Sequence, residues 1–234
     1  MTNEMELREL LTAIRIKPGS VTDVTFEGCE GPMIIPPLPG VLRLTVQNCP
    51  HFTTLRVQPD MTSLTATGQN FSSMDTQPEL VHAYISGCQL TGLPAMPKIK
   101  MLRVISAQLF LLPELPSLEK LDLIGCHRIS RLHSFPKLNS MRLENCSELC
   151  SIDSMPRLKS LYIEDCDKLD KLPELPVLRS LSGYSGSMSF QETGELTLLD
   201  YRRQRMWATP MARSRLSILR QERPRSSHII RSRS

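Results

Sequence analysis

Residues 112–126 read LPELPSLEKLDLIGC, and the parts of this stretch recur along most of the chain. Aligned on an apolar anchor residue, nine registers follow one another at intervals of 19 or 20 residues. Each has the pattern LxxLxL, in which L is apolar except for a final glycine, Gly183. Alternation at LxL predicts a short strand with every second side chain turned inward. The anchors are Val21, Val41, Met61, Leu80, Ile99, Leu118, Leu138, Leu158 and Leu178.

A proline stands two residues before eight of the nine anchors, and an apolar residue stands six residues before the same anchors. Proline lacks an amide donor and favours extended backbone, so we expect these prolines in extended chain on the wall opposite the strands. Each repeat is then one coil. One coil cannot bury enough apolar surface alone, and stacked coils share a continuous core. The prolines are Pro39, Pro59, Pro78, Pro97, Pro116, Pro136, Pro156 and Pro176.

With PKLNSMRLENCSEL (136–149) and PRLKSLYIEDCDKL (156–169), the opening stretch resembles leucine-rich repeats of the short, Pro-rich type. Two groups are similar: the type III-secreted repeat effectors of enteric bacteria, which share LPxLP, and the repeat domains of plant immune receptors, which share LxLxxC. The resemblance covers residues 21–183. It implies a leucine-rich repeat solenoid with parallel strands on the concave face, an extended or irregular convex face and a helical N-terminal cap. The usual Asn of the bacterial type is Cys here.

Six of the seven cysteines stand eight residues after an anchor. An odd count without paired CxxC spacings argues against a disulfide framework or a zinc site. We therefore expect a buried, reduced ladder of small, weakly polar side chains, with Cys150 as a surface thiol outside it. The register contains Cys29, Cys49, Cys88, Cys126, Cys146 and Cys166.

The motifs that mark phosphate-binding loops, hydrolase nucleophiles or zinc proteases do not occur in the sequence. The prediction is a protein that is not an enzyme, with no catalytic residues, metal or cofactor. Its function is then protein recognition.

Residues that alternate with LxL should face outward on the concave wall, where a partner protein would bind. The central outward-facing column consists of the residues four positions after each anchor. In the N-terminal third it contains only threonine, whereas further along the outer face Tyr, Arg, charged residues and Ile appear. Tyr and Arg dominate the energetics of protein interfaces. The predicted partner-binding residues are Tyr84, Arg103, Lys120, Asp122, Arg142, Glu144, Tyr162, Glu164 and Tyr184.

The sequence divides into four parts. We expect an N-terminal cap at residues 1–20, where apolar residues have near-helical spacing, and about nine leucine-rich repeats at 21–186. A C-terminal cap at 187–210 would cover the other end of the solenoid, as a strand or a helix. Residues 211–234 form a basic, Arg- and Ser-rich tail that we expect to be disordered.

Charge is distributed unevenly. Residues 201–234 hold ten arginines and one glutamate, while the first 200 residues hold 18 basic and 23 acidic side chains. The tail could thus contact an anionic partner, either nucleic acid or an acidic protein surface. An alternative function follows, a nucleic-acid-associated protein with the repeats as scaffold. No apolar run is long enough for a signal peptide or a membrane span, so we expect a cytoplasmic protein, with nuclear location or delivery into a host cell as alternatives.

Overall fold

The structure, a computed structural model, describes residues 21–31, 33–169, 172–185 and 188–190, with side chains as far as Gly183. The repeats form short strands, two per coil where both walls are regular. In chain order the strands are β1 (Asp23–Glu27), β2 (Met33–Ile35), β3 (Arg43–Gln47), β4 (Phe52–Leu55), β5 (Ser63–Thr67), β6 (Ser73–Met74), β7 (His82–Ser86), β8 (Met101–Ile105), β9 (Lys120–Ile124), β10 (Arg131–Leu132), β11 (Ser140–Glu144), β12 (Ser151–Ile152), β13 (Ser160–Glu164), β14 (Ser180–Ser185) and β15 (Met188–Phe190).

One long sheet runs the length of the described chain, in the order β1-β3-β5-β7-β8-β9-β11-β13-β14-β15. Its first nine strands are parallel, and each residue pairs with the residue at the same register position of the next coil. Arg103 on β8, for example, pairs with Asp122 on β9, which pairs with Arg142 on β11. The predicted parallel solenoid is thus confirmed, and the described residues contain no helix.

The inner side of the long sheet forms the core. From the second coil to the eighth, the anchor and both apolar residues of LxL are at most 4% exposed. In the first coil Val21 and Phe26 are only partly buried. Two larger side chains, Phe52 and Phe71, stack with ring centroids 4.9 Å apart. The sequence pattern therefore identified the buried positions, because a period of two places the apolar residues of LxL on one side of the sheet.

The prolines occupy a different place from the one expected. In the coil of residues 112–126, the amide of the anchor Leu118 donates to the carbonyl of Leu115 at 3.1 Å, which closes a turn with Pro116 as its second residue. Proline favours this position because its ring presets the backbone angle φ of the turn. The prediction of extended backbone at the prolines was wrong. They end the second wall, which carries two short parallel sheets, β2-β4-β6 and β10-β12.

From β1 to β13 each strand of the long sheet ends six residues after the anchor, and the residue that follows it, seven after the anchor, has a positive φ in most coils. Only glycine adopts this left-handed conformation without strain, and Asn and Asp tolerate it best among the others. The backbone amide at this position hydrogen-bonds to the next coil: that of Asn145 donates to the carbonyl of Glu164 at 2.9 Å. The residues and their φ angles are Gly28 (63°), Asn48 (53°), Gly87 (62°), Ser106 (52°), Gly125 (64°), Asn145 (50°) and Asp165 (48°).

Two glutamines, Gln58 and Gln77, lie buried at 2% and 0% exposure in a register that other coils fill with apolar residues. The side-chain oxygen of Gln58 accepts a hydrogen bond from the backbone amide of Leu38 at 2.9 Å. The side-chain oxygen of Gln77 accepts one from the backbone amide of Gln58 at 3.0 Å. Their amide groups donate to backbone carbonyls, including that of Arg56. Because both ends of each side chain are hydrogen-bonded, the burial of these polar groups is compensated.

At the C-terminal end the parallel order stops. Gly183 has a φ of 108°, and a Cβ there would lie 1.9 Å from the carbonyl oxygen of Ile163. In this part of the sheet β15 pairs antiparallel with β14. An antiparallel strand thus covers the last parallel one. The predicted helical N-terminal cap at 1–20, the basic tail at 211–234 and most of the predicted C-terminal cap at 187–210 lie outside the described residues.

Candidate functional site

The outer face of the long sheet consists of the side chains that alternate with the buried ones. It changes character along the solenoid. Over β1, β3 and β5 the central column holds Thr25, Thr45 and Thr65. From β7 to β13 the same column holds two tyrosines, two arginines and an aspartate. The structure therefore places most predicted site residues side by side, at strand spacings of about 4.8 Å.

We call this region the mixed cluster. It spans five adjacent strands, β7, β8, β9, β11 and β13. Tyr184 pairs with Glu164 through the backbone of the next strand, β14, and so holds the expected register position, although its side chain lies outside the described part. The members of the mixed cluster are Tyr84, Arg103, Lys120, Asp122, Arg142, Glu144, Tyr162 and Glu164.

Arg142 and Tyr162 contact each other and their neighbouring carboxylates within the mixed cluster. The guanidinium carbon of Arg142 lies 4.6 Å from the ring centroid of Tyr162, and the guanidinium also forms an ion pair with Glu144. This ion pair raises the pKa of Arg142 above its already high ordinary value. Stacking and ion pairing hold the arginine in one orientation while about half of its side chain, 47%, stays exposed.

The phenol of Tyr162 is fixed as well. Its hydroxyl donates to Oε2 of Glu164 at 2.6 Å. Because this hydrogen bond from the protonated phenol to the carboxylate stabilises the neutral form, it raises the pKa of Tyr162 to about 12. The ring thus presents a stacked face toward Arg142 and has its polar end occupied, so Tyr162 loses little conformational freedom when a partner binds.

Asp122 departs from the expectation of an exposed contact residue, since it is only 6% exposed. It lies between Arg103 and Arg142 in the strand register, and its Oδ2 is 3.8 Å from Nζ of Lys120. This covered carboxylate interacts with Lys120 and Arg142 and offers a partner little surface of its own. We therefore assign Asp122 a positioning role.

Arg103 is the cation at the N-terminal side of the mixed cluster. Its guanidinium carbon lies 5.8 Å from the ring centroid of Tyr84, within the range of a cation–π contact. The same strand exposes Met101 to 41%, and Ile105 and Ile124 are partly exposed. Sequence reasoning left these three apolar residues out of the site, although they stand in the outward-facing registers.

The cysteine ladder lies at the exit of the long-sheet strands. Cys49, Cys88, Cys126, Cys146 and Cys166 are buried, Cys29 is partly buried, and Cys150 is exposed. This confirms the predicted burial, except that Cys29 in the first coil is less covered. The thiol of Cys146 donates to the carbonyl of Glu144 at 3.5 Å, two residues earlier, and equivalent contacts recur at Cys49, Cys126 and Cys166. Each such thiol caps a carbonyl of its own strand.

Burial raises the pKa of Cys126 to about 11, and hydrogen bonding with Cys166 together with burial raises that of Cys146. The pKa of Cys166 is lowered because Cys146 is its hydrogen-bond partner, against the effect of burial. Since the side chain of Cys166 is 0% exposed, a reagent in solvent does not reach it. Its place in the ladder therefore remains structural.

The described residues contain no group of three or more His, Cys, Asp or Glu side chains arranged to hold a metal ion. No helix in this part of the chain has the length and apolar character needed to cross a bilayer. Comparisons with models of protein families, with characterised proteins and with solved structures found no match.

Proposed function

We propose that this protein is a leucine-rich-repeat recognition module that binds another protein through the mixed cluster and carries out no catalysis. The LxxLxL coils, the stacked parallel strands and the prolines before the anchors support the leucine-rich-repeat assignment. We further propose that the protein acts in the cytoplasm, where the reduced state of its buried thiols would be maintained.

The observation that carries the proposal is the pairing of Arg142 with Tyr162. Both residue types are frequent anchors of protein interfaces, and here each is held by its neighbours before any partner arrives. A side chain that is already ordered has less entropy to lose on binding, so more of the contact energy appears as affinity.

The distribution of carboxylates favours binding over catalysis. In the mixed cluster each carboxylate is engaged: Asp122 with Lys120, Glu144 with Arg142, and Glu164 with the Tyr162 phenol. Carboxylates paired in this way help to hold their neighbours in one orientation, as a recognition surface requires.

Affinity capture from cell extract with the full chain as bait tests the proposal. A variant with both Arg142→Ala and Tyr162→Ala should bind the partner more than about tenfold more weakly. The reason is that truncating interface anchors removes over about 1.4 kcal/mol of binding free energy. The matched control is Thr25→Ala with Thr45→Ala, which changes the same outer column in the Thr-lined region and should retain the partner. Equal retention by both double variants would contradict the proposal.

The second candidate, nucleic-acid association through the tail, rests on ten arginines against one glutamate in residues 201–234. Deletion of residues 211–234 and a salt series separate the two functions. Phosphate contacts weaken steeply between low and physiological salt, whereas a contact centred on Tyr and apolar residues changes little. Loss of the partner only in the tail deletion, with a steep salt dependence, would favour the second candidate.

A further inference from the structure

The outer face of the described long sheet has three columns, at the positions two, four and six residues after each anchor. Arg103 differs from the other lysine and arginine side chains in these columns. Arg43 pairs with Asp23, Lys120 with Asp122, and Arg142 with Glu144. Among the described residues no carboxylate lies within ion-pairing distance of Arg103, which is exposed. Its guanidinium carbon lies 5.8 Å from the centroid of the Tyr84 ring, a cation–π contact that does not require the N–H donors to be hydrogen-bonded.

The outward-facing neighbours of Arg103 along its own strand are apolar, and Asp122, its register partner on β9, is buried. Met101 and Ile105 flank it on β8, and Ile124 stands on the neighbouring strand, β9. Met101 is 41% exposed, so an incoming group would remove apolar surface from water along with the guanidinium. A charge-assisted hydrogen bond gains strength where water is excluded, because screening is weaker there.

We propose that Arg103, with Tyr84, Met101 and Ile105, binds an extended segment of the partner protein. The segment supplies one Asp or Glu side chain to Arg103 and an aliphatic side chain, before or after it in the sequence, to Met101 or Ile105. This rests on the proposed recognition function and specifies its ligand. Residues two apart on a strand lie about 6.5–7 Å apart, which is the distance from Arg103 to either apolar neighbour on β8. The partner's aliphatic residue therefore stands two positions from its acidic residue.

The charges around Arg103 favour a single carboxylate over a nucleic-acid strand. A phosphate backbone needs a row of cations, and its affinity grows with their number. Along the mixed cluster, Lys120 and Arg142 are each paired with a carboxylate, and Glu164 adds a further negative charge. A polyanion running along the sheet would meet these carboxylates on the C-terminal side of Arg103, on β9, β11 and β13, whereas a single acidic side chain at Arg103 has only the largely buried Asp122 as a neighbouring carboxylate in its column.

Selection of random peptides displayed on phage against the immobilised full chain provides the test. The wild type should enrich peptides with Asp or Glu two positions from Leu, Ile, Val or Met. Synthetic peptides from this selection should bind Arg103→Glu at least about tenfold more weakly, the usual cost of reversing a charge at a close pair. Arg103→Lys should bind with intermediate affinity, because it retains the charge and loses the planar fork.

The matched control is Arg157→Glu, which makes the same charge change at an exposed residue in the turn before β13. It should leave binding of the selected peptides within about twofold. Failure of the wild type to enrich acidic–aliphatic peptides would overturn the inference, as would equal loss of binding in both charge-reversal variants.

One outcome separates this inference from the proposed function, and a second overturns it in favour of a nucleic-acid ligand. If selected peptides lose binding in the Arg142→Ala and Tyr162→Ala variant but bind Arg103→Glu normally, the mixed cluster recognises protein by other means and the inference fails alone. If single-stranded DNA or RNA oligonucleotides bind the wild type and lose binding in Arg103→Glu, the anion is a phosphate, which also overturns it.

Discussion

The strands β3 and β13 have the same inner side and different outer sides. Leu44 and Leu161 occupy the same inner column, and both are 1% exposed. In the adjacent outer column β3 carries Thr45, whereas β13 carries Tyr162 in contact with Arg142 and Glu164. The comparison teaches that stacking the coils constrains the inner columns all along the solenoid and leaves the outer columns free to vary. A change of outer chemistry midway along the sheet is therefore where a binding function is expected.

The largest predicted effect tests the equivalence of the inner sides. Leu44→Ala and Leu161→Ala should each lower the free energy of unfolding by about 2–5 kcal/mol, because each removes a buried side chain and leaves a cavity. Chemical denaturation of the two variants measures the change. If one variant were as stable as the wild type, the two regions would not share the same packing and the comparison would break.

The strand exits give the next largest effect. Asn48 and Asn145 have φ angles of 53° and 50° in corresponding coils. Asn48→Val and Asn145→Val should each cost about 1–2 kcal/mol, because a residue with a Cβ other than Asn or Asp is strained in the left-handed region. The controls are Asn48→Gly and Asn145→Gly, which should stay close to the wild type. Valine variants as stable as the glycine variants in thermal or chemical denaturation would contradict the assigned turn.

The sequence was sufficient to predict the coils and the inner columns, because a period of two combined with a spacing of 19 or 20 residues has a simple geometric meaning. The sequence also carries a signal for the turn that follows each strand. Gly28, Asn48, Gly125, Asn145 and Asp165 share one register, seven residues after the anchors, and these residue types mark positive φ. The prolines were harder to place from sequence, because proline suits both extended backbone and the second position of a turn.

Other features depend on three-dimensional contacts that no single repeat reveals. Gln58 and Gln77 are polar, yet each can be buried because backbone carbonyls and amides of neighbouring coils lie within hydrogen-bonding distance of its side chain. Asp122 is covered by its neighbours on the sheet, which composition alone does not show. The Tyr162 to Glu164 hydrogen bond depends on side-chain conformation, so the sequence could predict only that both side chains share the outer face.

The smallest predicted effect concerns the outer side alone. Tyr162 has a folded-state pKa of about 12, raised from the ordinary value of 10.0 by its hydrogen bond to Glu164. The neutral phenol therefore contributes stability below pH 10, and this contribution is lost as the pH rises from 10 to 12. Relative to Tyr162→Phe, which has no titrating group, the wild type should lose stability over this range. Parallel denaturation curves at several pH values provide the measurement, and a constant difference between the two proteins would contradict the hydrogen bond.

The most direct test of the central claim is hydroxyl-radical footprinting of the protein with and without its captured partner. On the outer face Met101 is 41% exposed and Tyr84 is partly exposed, while Phe110 and Leu111, 48% and 55% exposed, lie along the second wall between β6 and β10. We predict that the partner protects Met101 and Tyr84 from oxidation and leaves Phe110 and Leu111 unchanged. Protection of Phe110 and Leu111 with unaltered oxidation of Met101 and Tyr84 would contradict the claim that the outer face of the long sheet is the binding surface.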